Sequence, residues 1–236
     1  MKLSASSIST YLDCARLFKF KHLERLSSEE TIYMIYGTVM HDFYDKLMLG
    51  VLGVEEASEQ FRTAFSIALS KSKVTAPVNR GNVLIQKMKQ GEESLLKFNK
   101  LLLPPALETE VSFEIPWCED VTLTGRVDVV AENNTIIDFK TSGTRPSMAA
   151  LNIDTQVNFY AFTYYLSHDA IVPNMLWYYT EKDIGMSIPT RTQQQLDETT
   201  WKIDTGAEGV RLEKFIRRGD PYRCKDCEFL EICSQG

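Results

Sequence analysis

No apolar run in this chain is long enough to cross a bilayer, and the leucine cluster Leu101-Leu102-Leu103 runs straight into Pro104-Pro105. The N-terminus is serine-rich and lacks the basic-then-apolar order of a secretory leader, so it reads as cytoplasmic. A phosphate loop of the form Gly-x-x-x-x-Gly-Lys-Ser/Thr is missing, as are internal repeats and low-complexity tracts. Positive charge is in short supply: 26 Lys and Arg face 32 Asp and Glu, a net charge of −6. That balance argues against a protein that coats nucleic acid without specificity. Five cysteines in a chain of cytosolic character argue against a disulfide framework.

What is present is the composition of an ordinary globule, 44% apolar and 25% charged over 236 residues, enough for one large domain or two small ones. Charge is unevenly placed. Residues 108–154 hold nine acids against Arg126, Lys140 and Arg145. Residues 67–100 carry seven Lys or Arg against Glu92 and Glu93, and 205–225 carry six against three acids. An acidic centre between basic segments suits a metal site beside a phosphate-binding track; solvated helix faces of mixed sign are the plainer alternative.

Apolar spacing predicts a helix from Ser4 to about Leu26, a second after Gly37 through Leu47, and helices over 55–72 and 83–103 around an irregular Val74–Asn82 stretch containing Pro77. After Pro104-Pro105 alternation takes over, with Val111, Phe113 and Ile115, then Val121 and Leu123, then Val127 and Val129. Asn133-Asn134 marks a turn and Thr135–Thr141 the return strand. Gln156–Leu166 reads as a helix, Met175–Tyr179 as a strand and Leu196–Arg218 as a long helix or helix pair. This order predicts one α/β (α+β) domain over residues 1–236.

The runs Leu123-Thr-Gly-Arg-Val-Asp128 and Ile137-Asp138-Phe-Lys140 place two carboxylates and a lysine around that hairpin. Two acids from neighbouring strands can hold one Mg²⁺ and leave it a water, which a nearby ammonium can orient. Alone, Asp-x-Lys is a common strand-end triplet. Its context adds weight, because Ile136-Ile137 looks buried and Thr141-Ser142-Gly143 opens the chain directly afterwards. With a two-residue Asn133-Asn134 loop, Asp128 and Asp138 would face opposite sides. A loop of odd length centred on Asn133 sets them opposite each other, with Lys140 on the same face. An odd loop or a bulge is therefore expected. His41, among apolar helix residues, reads by itself as an ordinary half-buried histidine. Glu110 reads first as a surface strand-end charge and second as an extra acid.

Taken in order, Gly37-Thr-Val-Met-His41, Gly125-Arg-Val-Asp128, Asp138-Phe-Lys-Thr141 and Gln156-Val-Asn-Phe-Tyr160 form a series that resembles the PD-(D/E)xK nuclease superfamily, in particular its RecB-like branch. The resemblance implies a restriction-endonuclease-like core, a small mixed sheet flanked by helices. It implies that His41, Asp128 and Asp138, with the carbonyl of Phe139, hold Mg²⁺ or Mn²⁺, the imidazole favouring manganese. Lys140 would activate or position the attacking water. Gln156 and Tyr160, one helical turn apart, would contact DNA or support the site.

Three cysteines cluster as Cys224-x-x-Cys227-x5-Cys233, a spacing suited to a metal or cluster but one ligand short; Cys14 and Cys118 are the candidates for the fourth. Tyr11-Leu-Asp-Cys14 resembles the opening of RecB-like nucleases that hold an iron–sulfur cluster, including the AddB nuclease domain and the CRISPR-associated exonucleases. By that resemblance Cys14, Cys224, Cys227 and Cys233 hold a 4Fe-4S cluster, and Cys118 is an ordinary free thiol. Residues 1–36 and 205–236 would then form a joint iron–sulfur subdomain around a nuclease core at 37–204. Four thiolates suit Zn²⁺ equally well on chemistry alone.

The implied activity is a metal-dependent exonuclease acting on DNA, preferably single-stranded, in recombination, repair or CRISPR adaptation. Basic stretches at Lys71–Lys89 and Arg211–Arg223 would guide the backbone; protein partners and oligomers are compatible with this, a membrane is not. The alternatives are a non-catalytic nucleic-acid-binding iron–sulfur subunit of a larger nuclease complex, an iron–sulfur redox carrier, and a nuclease acting on RNA or as an endonuclease.

Overall fold

The structure is a computed structural model that describes residues 1–27, 30–72, 74, 80–141, 144–182 and 184–234. Pro77, Ser142 and Gly143, which carried two of the loop expectations, lie outside the described residues.

Among the described residues, six strands form one mixed sheet in the order β1-β3-β4-β5-β6, with β2 on the other edge of β3. The long central hairpin is β2 (Ala106–Cys118) and β3 (Val121–Ala131), antiparallel throughout. The free edge of β3 is shared. β1 (Lys2–Leu3) runs parallel to its start, pairing Leu3 with Leu123, and β4 (Thr135–Lys140) pairs antiparallel with its end. Residues 124–128 of β3 are left between these two partners, which opens the sheet where Asp128 stands. β5 (Asn174–Tyr179) is parallel to β4, and β6 (Ile184–Ile188) is antiparallel to β5.

Helices cover both faces. α3 (Ile32–Met48), α4 (Val54–Lys71) and α5 (Arg80–Lys97) pack on one face against Val129, Ala131, Ile137, Phe139 and Tyr178. α6 (Met148–Ile153) and α7 (Thr155–Ser167) cross from β4 to β5 over the other face, against Ile136, Met175, Trp177 and Tyr179. α1 (Ala5–Asp13) and α8 (Gln193–Arg211) complete a third cluster around Leu3, Leu123, Phe159 and Phe162. Each buried Phe, Leu or Ile contributes about 1.5–3 kcal/mol in lost apolar exposure.

Several elements depart from their sequence reading. The helix expected from Ser4 to Leu26 breaks at Cys14, whose extended backbone (φ −155°, ψ 104°) separates α1 from α2 (Ala15–Phe18) and a π-helical turn at Lys19–Leu23. α3 begins at Ile32 rather than after Gly37, because Thr31 caps it by accepting the Met34 N–H. α8 ends at Arg211 instead of Arg218. α6 and β6 were not expected. Both are short, and packing rather than periodicity holds them.

The chain ends meet. Tyr11 Oη donates to the Lys214 carbonyl at 3.0 Å, Arg223 pairs with Asp13 at 2.7 Å, and the rings of Phe20 and Phe229 meet edge-on at 5.6 Å. These contacts carry the two short C-terminal helices, α9 (Pro221–Cys224) and α10 (Leu230–Ser234), back to the N-terminus.

Candidate active site

The β3–β4 connection is the three-residue loop Glu132–Asn134, with Asn133 and Asn134 in the left-handed region (φ 58° and 51°) that asparagine tolerates. Its pairs Val129↔Ile137 and Ala131↔Thr135 set a register that, continued, places Asp128 opposite Asp138. The ladder stops there for a visible reason. The Asp128 carboxylate itself accepts the Phe139 N–H at 2.7 Å, taking the place of a strand carbonyl. β2 adds a third acid to this row. Thr109↔Val129 and Val111↔Val127 bracket Glu110 opposite Asp128 on the other side. Glu110 has φ 51°, and Thr109, Glu110 and Val111 are all half-buried, so the strand alternation breaks at this residue. It is an interior strand residue, not the strand-end charge expected.

His41 reaches the row from α3, its Nδ1 lying 3.1 Å from Asp128 Oδ1. One ligand atom each from His41, Glu110 and Asp128 lie within 4.8 Å of one another. One imidazole nitrogen and two carboxylate oxygens suit a divalent first-row ion or Mg²⁺ with waters completing its shell. Burial is the largest influence on the His41 pKa and works to lower it. The Asp128 hydrogen bond and the charges of Asp128, Asp138 and Glu110 together outweigh it and hold the value above the usual imidazole range.

Asp138 stands beside this trio in a network of its own. Its Oδ2 is 2.6 Å from Lys140 Nζ and its Oδ1 accepts from Gln156 Nε2 at 3.0 Å, while Lys140 Nζ donates to Gln156 Oε1 at 2.8 Å. The ammonium also lies 4.1 Å from the Trp177 ring centroid. Burial pushes the Asp138 carboxyl up to about 6 against the opposing pull of Lys140. Phe139 is locked by stacking on Tyr44 at 4.9 Å and by edge contacts with Phe98 and Tyr178. The Tyr160 hydroxyl donates to the Arg126 carbonyl at 2.8 Å and so ties α7 to β3. Burial, the main cause, lifts its pKa to about 12. His41, Asp128, Gln156 and Tyr160 line a cleft of about 540 Å³ together with Ser4, Ser6, Ser9 and Arg126, while Glu110 lines a neighbouring cavity that His41 and Arg126 share.

Several residues of the basic stretches form ion pairs. Arg211 meets Asp120 at 2.5 Å, Arg218 and Arg223 meet Asp13, and Lys87 meets Glu181 at 3.1 Å with both side chains mostly buried.

The cysteines also depart from expectation. Cys14, Cys224 and Cys227 line one cavity of about 500 Å³, but Cys233 is not among its lining residues. No cysteine set closes as the His41 trio does; that trio is the one metal-competent group among the described residues. Three of the four cysteines expected to hold a 4Fe-4S cluster thus share one cavity, and no four-cysteine group is closed around a single point among the described residues. Cys118 is exposed and 3.1 Å from an Arg211 nitrogen.

The PD-(D/E)XK nuclease superfamily model matches residues 2–234. No curated protein matches the chain closely enough to count as a relative. Among solved structures it is similar to a Eubacterium rectale protein named only provisionally as an exonuclease, with a TM-score of 0.61 and 13% identity over 98% of this chain and 87% of that one. That likeness is one of fold. A crystal structure of SSO0001 aligns at 18% identity over 97% of this chain and 94% of the other, but its TM-score of 0.36 carries no argument.

Proposed function

We propose, from the premise that this chain belongs to the PD-(D/E)XK nuclease superfamily, that it is a divalent-metal-dependent deoxyribonuclease acting as an exonuclease, with preference for single-stranded DNA. The observation that carries this reading is the closed His41–Glu110–Asp128 group lying beside the Lys140–Asp138–Gln156 network, with His41, Asp128 and Gln156 lining one cleft.

His41, Glu110 and Asp128 would hold the ion, with Asp138 and the Phe139 carbonyl as further oxygen donors alongside them. When bound, the ion supplies Lewis acidity at a phosphate oxygen and makes a coordinated water acidic enough to attack near neutral pH. Among the described residues Lys140 is the one ammonium in contact with this row, and Gln156 and Asp138 fix its Nζ from two sides. It orients the attacking water and offsets the charge gathering on the phosphate. Gln156 keeps both partners in register from α7.

The test is incubation of 5′- and 3′-labelled single-stranded and duplex oligonucleotides with Mn²⁺ or Mg²⁺, comparing wild type with Lys140→Ala. Stepwise shortening that falls about 10²–10³-fold in the variant, while binding persists, is the expected result. Tight binding by wild type without degradation would favour the non-catalytic subunit instead.

A further inference from the structure

Arg126 is the residue at this site for which the nuclease chemistry above names no role. It stands two residues before Asp128 on β3, and its NH1 lies 2.7 Å from Glu110 Oε2. Glu110 belongs to the trio that would hold the ion. Arg126 and His41 also share a second position: both line the 540 Å³ cleft and the neighbouring 580 Å³ cavity that contains Glu110, Asp42 and Asp45. Arg126 therefore belongs to the walls of both.

Its anchoring is unequal. The backbone is held, because the Tyr160 hydroxyl bonds the Arg126 carbonyl and the Phe113 ring covers Gly125. The side chain is 61% exposed and free to turn on that fixed base. Lys140, the other cation of the site, is committed on three sides by Asp138, Gln156 and the Trp177 ring.

We propose that Arg126 exchanges partners: it holds Glu110 while the site is metal-free, yields that carboxylate to the ion, and turns its guanidinium onto a non-bridging oxygen of the phosphate in the cleft. The exchange rests on the nuclease reading. The arginine of the pair is exposed while its carboxylate is half-buried, and a dication binding that carboxylate directly outcompetes a solvent-screened guanidinium. The released fork then matches the geometry of a phosphate, which a lysine point charge does not. The site is thereby self-timed. Three carboxylates against two cations disfavour a polyanion before the ion binds, and the cation best placed to grip phosphate is withheld until then.

The experiment measures Mn²⁺ affinity of the DNA-free protein by calorimetry, together with KM and kcat on a single-stranded oligonucleotide, for wild type, Arg126→Met and Arg126→Lys. Arg126→Met should bind Mn²⁺ severalfold more tightly while kcat/KM falls about 10–100-fold, and Arg126→Lys should recover part of KM but little of kcat. Glu110→Gln provides an independent reading: in EDTA it should bind the oligonucleotide more tightly than wild type, and this gain should vanish in the Glu110→Gln/Arg126→Met double variant. Weaker Mn²⁺ binding by Arg126→Met, or unaltered cleavage, overturns the exchange while leaving the nuclease reading intact. Wild type that neither binds Mn²⁺ nor cleaves overturns both.

Discussion

Asp128 does two things at once: one carboxylate oxygen accepts the Phe139 N–H and the other faces His41 Nδ1. It thereby ends the β3–β4 ladder and raises the imidazole pKa, and its substitution separates these effects. Asp128→Asn keeps an oxygen for the Phe139 N–H but removes the charge. The His41 pKa, read by NMR titration of the metal-free protein, should then fall from above its ordinary value of about 6.5 toward or below it, because burial is left with less opposition. The sign for the wild type follows. A raised histidine pKa stabilises the fold fully below about 6.5, and that stability is lost as pH rises through the higher folded value. Metal affinity runs the other way, growing as His41 loses its proton. Calorimetric titration with Mn²⁺ between pH 6 and about 8 checks this: affinity independent of pH would remove His41 from the ligand set.

At the scale of elements, the β2–β3 hairpin aims the site, and Gly125 shows how tightly it is built. A methyl group there would lie 2.5 Å from Phe113 Cζ, and Phe113 itself packs against the rings of Phe159 and Tyr160 on α7. The glycine is present for close approach rather than for an unusual backbone angle. Gly125→Ala should therefore cost about 1–3 kcal/mol in urea denaturation, and adding Phe113→Leu to make room should recover part of it. Full stability in the single variant would show that the ring can move without loss. The same hairpin explains the acid that sequence reading demoted. Glu110 looks like a strand-end charge until β2 is known to extend back to Ala106; pairing with β3 then puts it opposite Asp128. A register count from the Glu119-Asp120 turn would have paired it with Val129, because a bulge between Pro116 and Cys118 shifts the pairing by one residue. The left-handed residue that re-aims the side chain leaves no mark in the sequence.

Across the whole molecule, the trio draws residues 41, 110 and 128 from α3, β2 and β3. An ion bound there bridges a helix on one face of the sheet to the central hairpin. Ligand binding to the folded state alone adds RT ln(1 + [L]/Kd), about 2.7 kcal/mol at a hundredfold excess over Kd. For a chain of this size that is roughly 5–10 °C in Tm. Mn²⁺ should raise the melting temperature by this order, EDTA should reverse it, and Glu110→Gln and Asp128→Asn should each abolish most of it. A shift that survives in both variants would place the ion elsewhere.

The sequence by itself determined the parts that depend on local pattern and on short spacings. The alternation after Pro104-Pro105 announced the sheet, Asn133-Asn134 its turn, and the parity of that loop the alignment of Asp128 with Asp138. Gln156 and Tyr160 were legible as one helix face, because four residues span about one turn. Only the tertiary structure decided which groups meet. It closed the His41 and Asp128 group on Glu110, turned the Tyr160 hydroxyl toward a backbone carbonyl, paired Arg211, Arg218 and Arg223 with distant acids, and brought Cys14, Cys224 and Cys227 to one cavity without Cys233 in its lining. The division has one physical cause. Periodicity records which face of an element is buried, whereas convergence depends on strand register, on a single left-handed residue and on how two chain ends pack, and these are settled by contacts between residues tens to hundreds of positions apart.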